Sequence, residues 1–446
     1  MVARRSRGVV SKPQWPSRAL DWAYLLPLIL AIGFILIIDP LRFLSLLPAS
    51  PAANTGSNPL TTLRYVDTGD AVRQAVLGIA FGLALLGLLV SSNAIHYIFH
   101  RQKLMLLLVI YALLSIAWSS APTLSLRRSL QFVGLLLVAW CAMRTTSAIQ
   151  RIVQVLRLIF TSVLCLSFPL VTLKAQMGGI YSHKNTLGHI TLLSIALWLP
   201  CLGSKESLVE SRLAPLVLLL AAFLVVKTGS QTALVTMVLI VGLCVLLKFP
   251  VPWEIKLVTT YVPILMVTLW FLNFQQFPLA SFMSDVLQRD NTFNGRVPVW
   301  QALLNNMRSH PWLGEGYNAF WIPDNFKSLG LIFSNAQWTP LQGHNGYLDI
   351  LNELGLIGGT LFLLVLIQSV VRAARLYFLQ ASTGMVFLLL LWALILSNLT
   401  ESGFCQGTAL QWVIFLLTYA AVAGIRPLRV PGRSLSMGSA QGRNRS

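Results

Sequence analysis

Long apolar segments with almost no charged residues dominate the chain, and they limit most strongly how it can fold. The first of them, "WAYLLPLILAIGFILII", is long enough to cross the hydrocarbon core of a bilayer as a helix. Similar segments recur along the 446 residues, of which 56% are hydrophobic and only 11% are charged. Because backbone groups inside a membrane must be satisfied internally, the sequence predicts an all-α polytopic membrane protein.

The apolar segments fall into two groups separated by one long connection. Their number predicts about twelve transmembrane helices, with the first nine in residues 22–272 and the last three in residues 355–425. Residues 273–354, between the ninth and tenth spans, form a large and mostly helical loop in this interpretation. Connections of this length usually carry function, so the loop is where we expect the site.

The distribution of charge predicts which way the helices run. Lysines and arginines concentrate in the two ends, 1–21 and 426–446, and in alternate short connections, whereas acidic residues concentrate on the other side. The positive-inside rule then makes both termini cytoplasmic and the long loop external. This placement accounts for much of the net charge of +19, so we expect the basic ends to contact anionic membrane lipids and expect no nucleic acid partner.

Neither the cysteines nor the histidines are arranged as metal ligands. No two cysteines stand at CxxC spacing, and we interpret all five as small membrane-interior residues: Cys141, Cys165, Cys201, Cys244 and Cys405. The external histidines are dispersed, and the sequence has neither a paired acidic motif nor a Gly-rich nucleotide loop. We therefore expect no metal site and no cofactor.

Two residues of the long loop have side chains suited to chemistry. Arg296 precedes a predicted helix at 298–307, where a guanidinium beside free backbone N–H groups can bind phosphate; a solvated or lipid-contacting arginine is the competing interpretation. His344, in "LQGHNGYLDI", precedes the last helical run of the loop, and its imidazole can transfer protons near neutral pH. A helix-capping or interfacial histidine is an equally open interpretation of His344.

Three carboxylates lie close to the same external boundary. Asp349 and Glu353 are one helical turn apart, and like charges at this spacing destabilise a helix unless a cation joins them, so we expect an external arginine there. On a straight helix Glu353 points away from His344, which argues against a catalytic pair of these two residues. Glu401, in "SNLTESGF", is expected to pair with one of the external cations.

Further polar residues lie at the external ends of predicted spans. Each alone is more often a snorkelling or capping residue than a ligand. Together with Arg296 they would line a cationic cavity that faces outward and suits an anionic, lipid-linked substrate. These candidate substrate-binding residues are Arg127, Arg128, Lys184, Asn185, Lys227 and Gln231.

The motifs "GRVPVW", "LGEGYNAF" and "HNGYLDILNELGLIGG", in this order, resemble the O-antigen ligase/polymerase family. "SIAWSSAPTLSLRRSL" and "SHKNTLGH" are similar to its exopolysaccharide-polymerase branch, and the resemblance extends from about residue 110 to 402. It implies an enzyme of the bacterial inner membrane with a helical periplasmic loop over an outward cavity. It also implies metal-independent, inverting transfer from an undecaprenyl-diphosphate-linked saccharide to a saccharide or lipid A-core acceptor.

The resemblance assigns roles by matching positions. His344 would be the general base, and Arg296 would bind the diphosphate leaving group. We also expect Asn345, Glu353 and Glu401 to join the external cations in substrate binding. One position departs from the family: Gln231, in "GSQTA", stands where ligases commonly carry an arginine. Either another cation takes that place or the diphosphate is held differently, and this departure weakly favours a polymerase over a ligase. The candidates are Lys227, Arg127, Arg128 and Lys184.

Two other classes of function remain open. A polytopic solute transporter of the inner membrane shares the predicted architecture, although the scarcity of ionisable residues in the middle of the spans argues against it. A non-catalytic scaffold in an envelope assembly complex would leave His344 and the external arginines without a purpose. An enzyme of surface polysaccharides would also be expected to meet assembly or export proteins.

Overall fold

The computed structural model describes residues 18–43, 71–91, 98, 100–145, 148–181, 183–205, 207–273, 296–322, 340, 342–407 and 409–424. All regular secondary structure in these ranges is helical, which confirms the all-α class. Most of both basic ends and much of the loop predicted at 273–354 lie outside the described residues. The helices are α1 (Arg18–Phe43), α2 (Ala71–Val90), α3 (Lys103–Leu114), α4 (Pro122–Ala142), α5 (Ala148–Leu173), α6 (Lys184–Trp198), α7 (Leu208–Thr228), α8 (Gln231–Lys248), α9 (Trp253–Asn273), α10 (Arg296–Ser309), α11 (Gly346–Leu379), α12 (Ala381–Ser397) and α13 (Leu410–Gly424).

Six of these helices are long and apolar enough to cross a bilayer, namely α2, α4, α5, α7, α8 and α11. Shorter apolar helices include α12, α13 and the 21–37 part of α1. This composition supports a multi-pass membrane protein, and about twelve spans remains a prediction. Many of the side chains exposed on these helices are large and hydrophobic, as expected for surfaces in contact with lipid.

Local sequence signals set several helix ends. Ser207 accepts a hydrogen bond from the backbone N–H of Glu210 at 3.3 Å and so caps the start of α7. The same helix ends at Gly229, whose φ of 63° is the left-handed conformation that glycine adopts at low cost. Helix α4 starts with Pro122, which needs no N–H partner in the first turn.

The helix ends that the charge pattern assigns to the cytoplasm contact one another. Arg151 forms an ion pair with Asp21 at 3.1 Å, and Arg372 donates a hydrogen bond to the carbonyl of Arg101 at 2.8 Å. We call this the basic end of the helices. The opposite end, which we call the site end, brings together the residues predicted to be external. The contacts agree with the predicted alternation of the helices, while the side of the membrane that each end faces stays a prediction.

Helix α11 is interrupted at Gly355, where φ is 62° and ψ is −169°. Beyond the break, the N–H of Leu356 donates to the carbonyl of Pro311 at 2.8 Å, and that of Ile357 donates to the carbonyl of Trp312 at 3.2 Å. A Cβ at Gly355 would lie 2.3 Å from the Trp312 oxygen, so only glycine fits. The segment after α10 therefore docks into the break, at the residue where the tenth span is predicted to begin.

An aromatic cluster holds the 398–409 loop between α12 and α13. The ring of Phe404 lies 5.2 Å from that of Phe362 in α11 and 5.1 Å from that of Phe415 in α13. Trp412 stacks on Phe415 with ring centroids 5.4 Å apart. All four rings are fully buried, so this packing fixes the loop that begins at the site end and carries Glu401.

Candidate active site around Glu401

Three side chains from distant parts of the chain meet at Glu401. One carboxylate oxygen, Oε1, accepts hydrogen bonds from Asn185 Nδ2 and from Arg296 Nη2, both at 2.8 Å. The other oxygen, Oε2, lies 3.0 Å from His344 Nδ1. We call these four residues the Glu401 cluster. The prediction that Glu401 pairs with an external cation is confirmed, and that cation is Arg296.

Helix α10 positions two members of the cluster. Arg296 is its first residue, and the guanidinium also donates through Nη1 to the carbonyl of Thr400 at 2.5 Å. One turn later, Trp300 Nε1 donates to the carbonyl of Gly343 at 2.8 Å, next to His344. A single helix of the predicted loop therefore fixes both the arginine and the turn that carries the histidine.

His344 lies in a tight turn just before α11. Its φ of 48° is in the left-handed region, which is uncommon for a residue with a side chain and is concentrated at functional sites. The helix cap is Asn345, whose Oδ1 accepts from the N–H groups of Tyr347 and Leu348, both at 3.1 Å. His344 is therefore not the helix cap, and the Asn345 side chain shapes the turn that presents the imidazole. The part of Asn345 in substrate binding stays a prediction.

The ionisation of Glu401 determines which ring nitrogen of a neutral His344 carries the proton. Burial on its own raises the pKa of this loop carboxyl, but the hydrogen bond from His344 and the charge of Arg296 outweigh it and lower the pKa to about 2. Glu401 is thus ionised at neutral pH and can only accept hydrogen bonds. In the neutral imidazole, the proton must then be on Nδ1 and the lone pair on Nε2, the arrangement that a general base requires.

The partners of the two α11 carboxylates, Asp349 and Glu353, differ from those expected from the sequence. An arginine was expected to join Asp349 and Glu353, but neither carboxylate forms an ion pair with an arginine within the described ranges. Asp349 instead accepts from neutral donors, among them Trp321 Nε1 at 3.0 Å, and from Ser402 Oγ in a short hydrogen bond. The backbone N–H of Gly343 also donates to Asp349, at 3.0 Å.

Glu353 belongs to a second polar cluster away from His344. Its Oε2 accepts from the backbone N–H of Asn318 at 3.1 Å, while the guanidinium of Arg128 donates to the carbonyl of the same residue. Arg128 thus shares the Asn318 peptide with Glu353, and its positive charge also acts on that carboxyl, so an arginine does lie near Glu353 as expected although no ion pair between the two is described. This placement of Glu353 agrees with the helical geometry that argued against a pair of His344 and Glu353, and the acid partner of His344 is Glu401 instead.

The remaining predicted substrate-binding residues, three cations and the amide of Gln231, lie on α4, α6, α7 and α8. Lys184 and Gln231 are exposed at the first turns of α6 and α8, and Lys227 lies over the ring of Phe223 at 5.7 Å. Arg127 is half-buried in α4. The hydroxyls of Thr232 and Thr400 are 2.7 Å apart, so the start of α8 lies beside the loop that carries Glu401. Substrate contacts of these cations stay predictions.

Residues that support the cluster were missed by the sequence analysis. Thr400 and Ser402 flank Glu401, and Ser402 Oγ accepts from the backbone N–H of Asn345 at 3.1 Å. The only signal was the polar density of "SNLTESGF", which does not identify partners. In the part of the chain that the structure describes, no three His, Cys, Asp or Glu side chains come together as metal ligands would.

Two comparisons with known proteins bear on this site. Residues 216–363 match the sequence model of a family described as O-antigen ligase, and this range contains Arg296 and His344. The chain is also 25% identical over 288 residues to the exopolysaccharide production protein ExoQ of Rhizobium meliloti (strain 1021). That alignment covers 58% of this chain and 62% of the relative's length. Together the two matches confirm the resemblance to the O-antigen ligase/polymerase family that the sequence motifs predicted.

Proposed function

We propose that the protein is an inner-membrane glycosyltransferase that polymerises saccharide units carried on undecaprenyl diphosphate, at the periplasmic face. The observation that carries this proposal is the Glu401 cluster, in which His344, Arg296 and Glu401 meet from separate segments at one end of the helices. The relative is named for exopolysaccharide production, which supports a polymerase. A ligase that transfers glycan to lipid A-core is the closest variant of the proposal.

In the proposed reaction, His344 is the general base. Glu401 holds Nδ1 at 3.0 Å and keeps the proton on that atom, as the aspartate of a Ser-His-Asp triad does for its histidine. Nε2 of His344 then accepts the proton of the acceptor hydroxyl. Base catalysis by a positioned histidine is worth about 10²- to 10⁴-fold in rate, which is enough to make His344 indispensable.

The bond changes follow a single displacement. The acceptor oxygen attacks the anomeric carbon from the face opposite the leaving group while the bond from that carbon to the diphosphate oxygen breaks. The diphosphate leaves with the bonding electron pair, and configuration at the anomeric carbon inverts. The proton on His344 then passes to the released diphosphate or to water.

Arg296 is the residue that we assign to charge stabilisation in this step. It stands at the N-terminus of α10, where backbone N–H groups and the helix dipole both favour an anion. Its contacts with Glu401 and Thr400 hold the guanidinium in one orientation, and its remaining N–H groups can face the developing negative charge. The step assigns this role to protein cations and uses no metal ion.

The position of the cluster favours an enzyme over a transporter. Transporters place their ionisable residues near the middle of the membrane, often on broken helices. Here Asn185 and Arg296 are at first turns of helices, and His344 and Glu401 lie in connections between helices. A diphosphate at the membrane boundary would reach residues at this depth, whereas a solute passing through the bundle would not require them there.

The test is polysaccharide output from a deletion strain that expresses wild type or His344→Asn at matched membrane levels. Asparagine tolerates the left-handed backbone of residue 344, so the variant removes the base while it preserves the turn. We expect loss of long-chain product with accumulation of lipid-linked single repeat units. His310→Asn is the matched control, because His310 is a half-exposed histidine of the same loop outside the cluster.

Each outcome separates the variants of the proposal. Long chains accumulating on the lipid carrier would identify a ligase, and single repeat units would identify a polymerase. Normal polysaccharide from His344→Asn would contradict the assignment of His344 as the general base. A loss shared equally by His310→Asn would mean that the phenotype reflects loop folding and not base catalysis.

A further inference from the structure

Asp349 lies in the first turn of α11 and is fully buried, although it has no part in the reaction proposed so far. Its Oδ1 accepts hydrogen bonds from the backbone N–H of Gly343 and from Trp321 Nε1, both at 3.0 Å. Its Oδ2 lies 3.1 Å from the same backbone nitrogen and accepts a short hydrogen bond from Ser402 Oγ. Burying a carboxylate is costly, so a carboxylate with this many donors has a definite task.

Asp349 holds the backbone on both sides of His344. The preceding residue, Gly343, donates its N–H directly to the carboxylate. The following residue, Asn345, donates its N–H to Ser402 Oγ at 3.1 Å, and that hydroxyl donates to the carboxylate. The left-handed residue His344 is therefore flanked by two fixed peptide groups, which restrict the direction in which its imidazole can point.

The same contacts join this turn to the loop that carries Glu401. Ser402 directly follows Glu401 in the chain, so the hydroxyl that reaches Asp349 is next to the partner of the imidazole. A third contact lies close by, because the N–H of Gly346 is 3.0 Å from the carbonyl oxygen of Asn398 and 3.1 Å from that of Glu401. Asp349 thus lies at the joint between the two segments that bring the base and its carboxylate together.

The approach at this joint is closer than ordinary side-chain packing. A Cβ at Gly343 would lie 2.5 Å from Asp349 Oδ1, and a Cβ at Gly346 would lie 2.4 Å from Asn398 Oδ1. Both glycines are needed because the polar side chains contact the backbone of the turn directly. The turn is therefore fixed by hydrogen bonds to its backbone and not by the packing of its own side chains.

We propose that Asp349 is a positioning residue, whose carboxylate joins the turn at residues 343–346 to the 398–409 loop and so keeps the imidazole of His344 aligned between Glu401 and the acceptor hydroxyl. The inference rests on the proposed function and adds a residue that acts through His344. A displacement of about 1 Å in a catalytic group can cost about 10²-fold in rate. Loss of the joint should therefore lower kcat, while KM for the donor changes little.

Asp349→Asn tests the joint selectively. The amide keeps one carbonyl oxygen that can still accept from Gly343 and Trp321, but its NH₂ group cannot accept from Ser402 Oγ. We expect kcat per folded molecule to fall by about 10²-fold and KM to stay within about twofold. The measurement is the initial rate of purified full-length enzyme on lipid-linked repeat units extracted from the deletion strain, with thermal unfolding in the same detergent to count folded protein.

Trp321→Phe is the matched control. It removes a different donor to the same carboxylate, and that donor belongs to neither of the two joined segments. We expect its kcat per folded molecule to stay within about threefold of wild type, even though the variant loses a buried hydrogen bond. An equal fall in kcat in Trp321→Phe and Asp349→Asn would overturn the proposal, and so would a fall in Asp349→Asn that appears in KM alone.

A double-mutant cycle distinguishes one shared connection from two independent effects. Ser402→Ala removes the other side of the same hydrogen bond, so we expect a similar fall in kcat. The double variant should then be no more than about threefold slower than the slower single variant. Effects that multiply to about 10⁴-fold would contradict the joint. If Asp349→Asn fails to fold, Ser402→Ala carries the test of kcat against KM alone.

Hydrogen exchange gives a measurement that does not depend on activity. The backbone of residues 343–346 should exchange faster in Asp349→Asn than in wild type or Trp321→Phe, and unchanged exchange would overturn the joint. Normal kcat in Asp349→Asn, with product lost in His344→Asn, would leave the proposed function standing and the positioning role wrong. Faster exchange in Asp349→Asn, with normal polysaccharide from His344→Asn, would show that the proposed function is wrong and that the joint is purely structural.

Discussion

Two Arg–Glu ion pairs lie at opposite ends of the helices, and they differ in the other groups that they contact. At the basic end, Arg157 contacts Glu210 at 2.7 Å, donates to the carbonyl of Leu197 at 3.1 Å, and lies 5.5 Å from the ring of Trp198. All of these groups join α5, α6 and α7 to one another. This pair is structural, because every contact connects one helix to its neighbour.

The pair at the site end includes a group that can transfer a proton. Glu401 holds Arg296 with one oxygen and His344 with the other, and the glutamate side chain is only 7% exposed. A buried ion pair is by itself weak evidence of either stability or function. The imidazole that contacts the carboxylate, and not the ion pair itself, therefore marks the candidate site.

Glutamate-to-glutamine variants at the two ends give the largest expected contrast. Glu401→Gln keeps the size of the side chain but no longer fixes the proton on His344 Nδ1, so we expect turnover to fall by about 10³-fold. Glu210→Gln is the matched control, because it alters the ion pair at the basic end in the same way. We expect that control to keep turnover within about twofold, once corrected for folded protein.

The measurement is turnover of purified enzyme on lipid-linked repeat units, with thermal unfolding in the same detergent to count folded protein. Equal losses per folded molecule in both variants would show that turnover depends on the Glu401 ion pair no more than on the ion pair at the basic end. Near-normal turnover in Glu401→Gln would remove Glu401 from the mechanism and leave His344 without an orienting partner.

Arginine variants test stability at the same two places. Removing the Arg296 guanidinium leaves the buried carboxylate of Glu401 without its cation, and we expect Arg296→Gln to cost about 3 kcal/mol of unfolding free energy. Arg157→Gln should cost less, because the side chain of Glu210 is 26% exposed and water can solvate its carboxylate. Only Arg296→Gln is expected also to lower turnover per folded molecule. Thermal unfolding and turnover measured on the same samples separate these effects, and unchanged turnover in Arg296→Gln would contradict its role in charge stabilisation.

Much of the fold and of the candidate site could be predicted from the sequence, but the contacts between the site residues could not. Apolar segments indicate the helical class, and the residue types of Arg296 and His344 indicate the candidate chemistry. The pairing of His344 with Glu401 spans 57 positions, and that of Asn185 with Glu401 spans 216. Helical periodicity relates only residues within a few turns of one another. Only the packing of α6, α10 and α12 therefore reveals that these residues meet.

The expectation for Asp349 failed for a different physical reason. Charge spacing on a helix predicts a counter-ion, yet a buried carboxylate is satisfied equally well by several neutral donors. The indole of Trp321 and the hydroxyl of Ser402 serve that purpose here, and neither is recognisable in a sequence as a partner of an acid. Charge patterns thus predict that burying an acid is unfavourable, but they do not predict which hydrogen-bond donors stabilise it.

The pH dependence of unfolding is the next smaller effect expected from the Glu401 cluster. The pKa of Glu401 falls from the usual 4.5 to about 2 in the folded protein. A lowered pKa contributes stability that is complete above the unfolded value and is lost as pH falls from about 4.5 toward 2. We expect the loss to be about 2–3 kcal/mol, measured as the midpoint of thermal unfolding against pH. Glu401→Gln should remove that part of the slope, and an unchanged slope would contradict the lowered pKa.

The smallest expected effect separates the neutral network of Asp349 from the charged network of Glu401. Ser402→Ala removes the hydroxyl that donates to Asp349 and accepts from Asn345, and we expect a loss of about 1.5 kcal/mol because Asp349 keeps its other donors. Ser369→Ala is the matched control: this buried serine donates at 2.7 Å to Val365, a carbonyl that precedes it by one turn of α11. Removing that hydroxyl should cost about 0.5 kcal/mol. A loss of stability from Ser402→Ala as large as that from Arg296→Gln would mean that one neutral donor stabilises Asp349 as much as the cation stabilises Glu401.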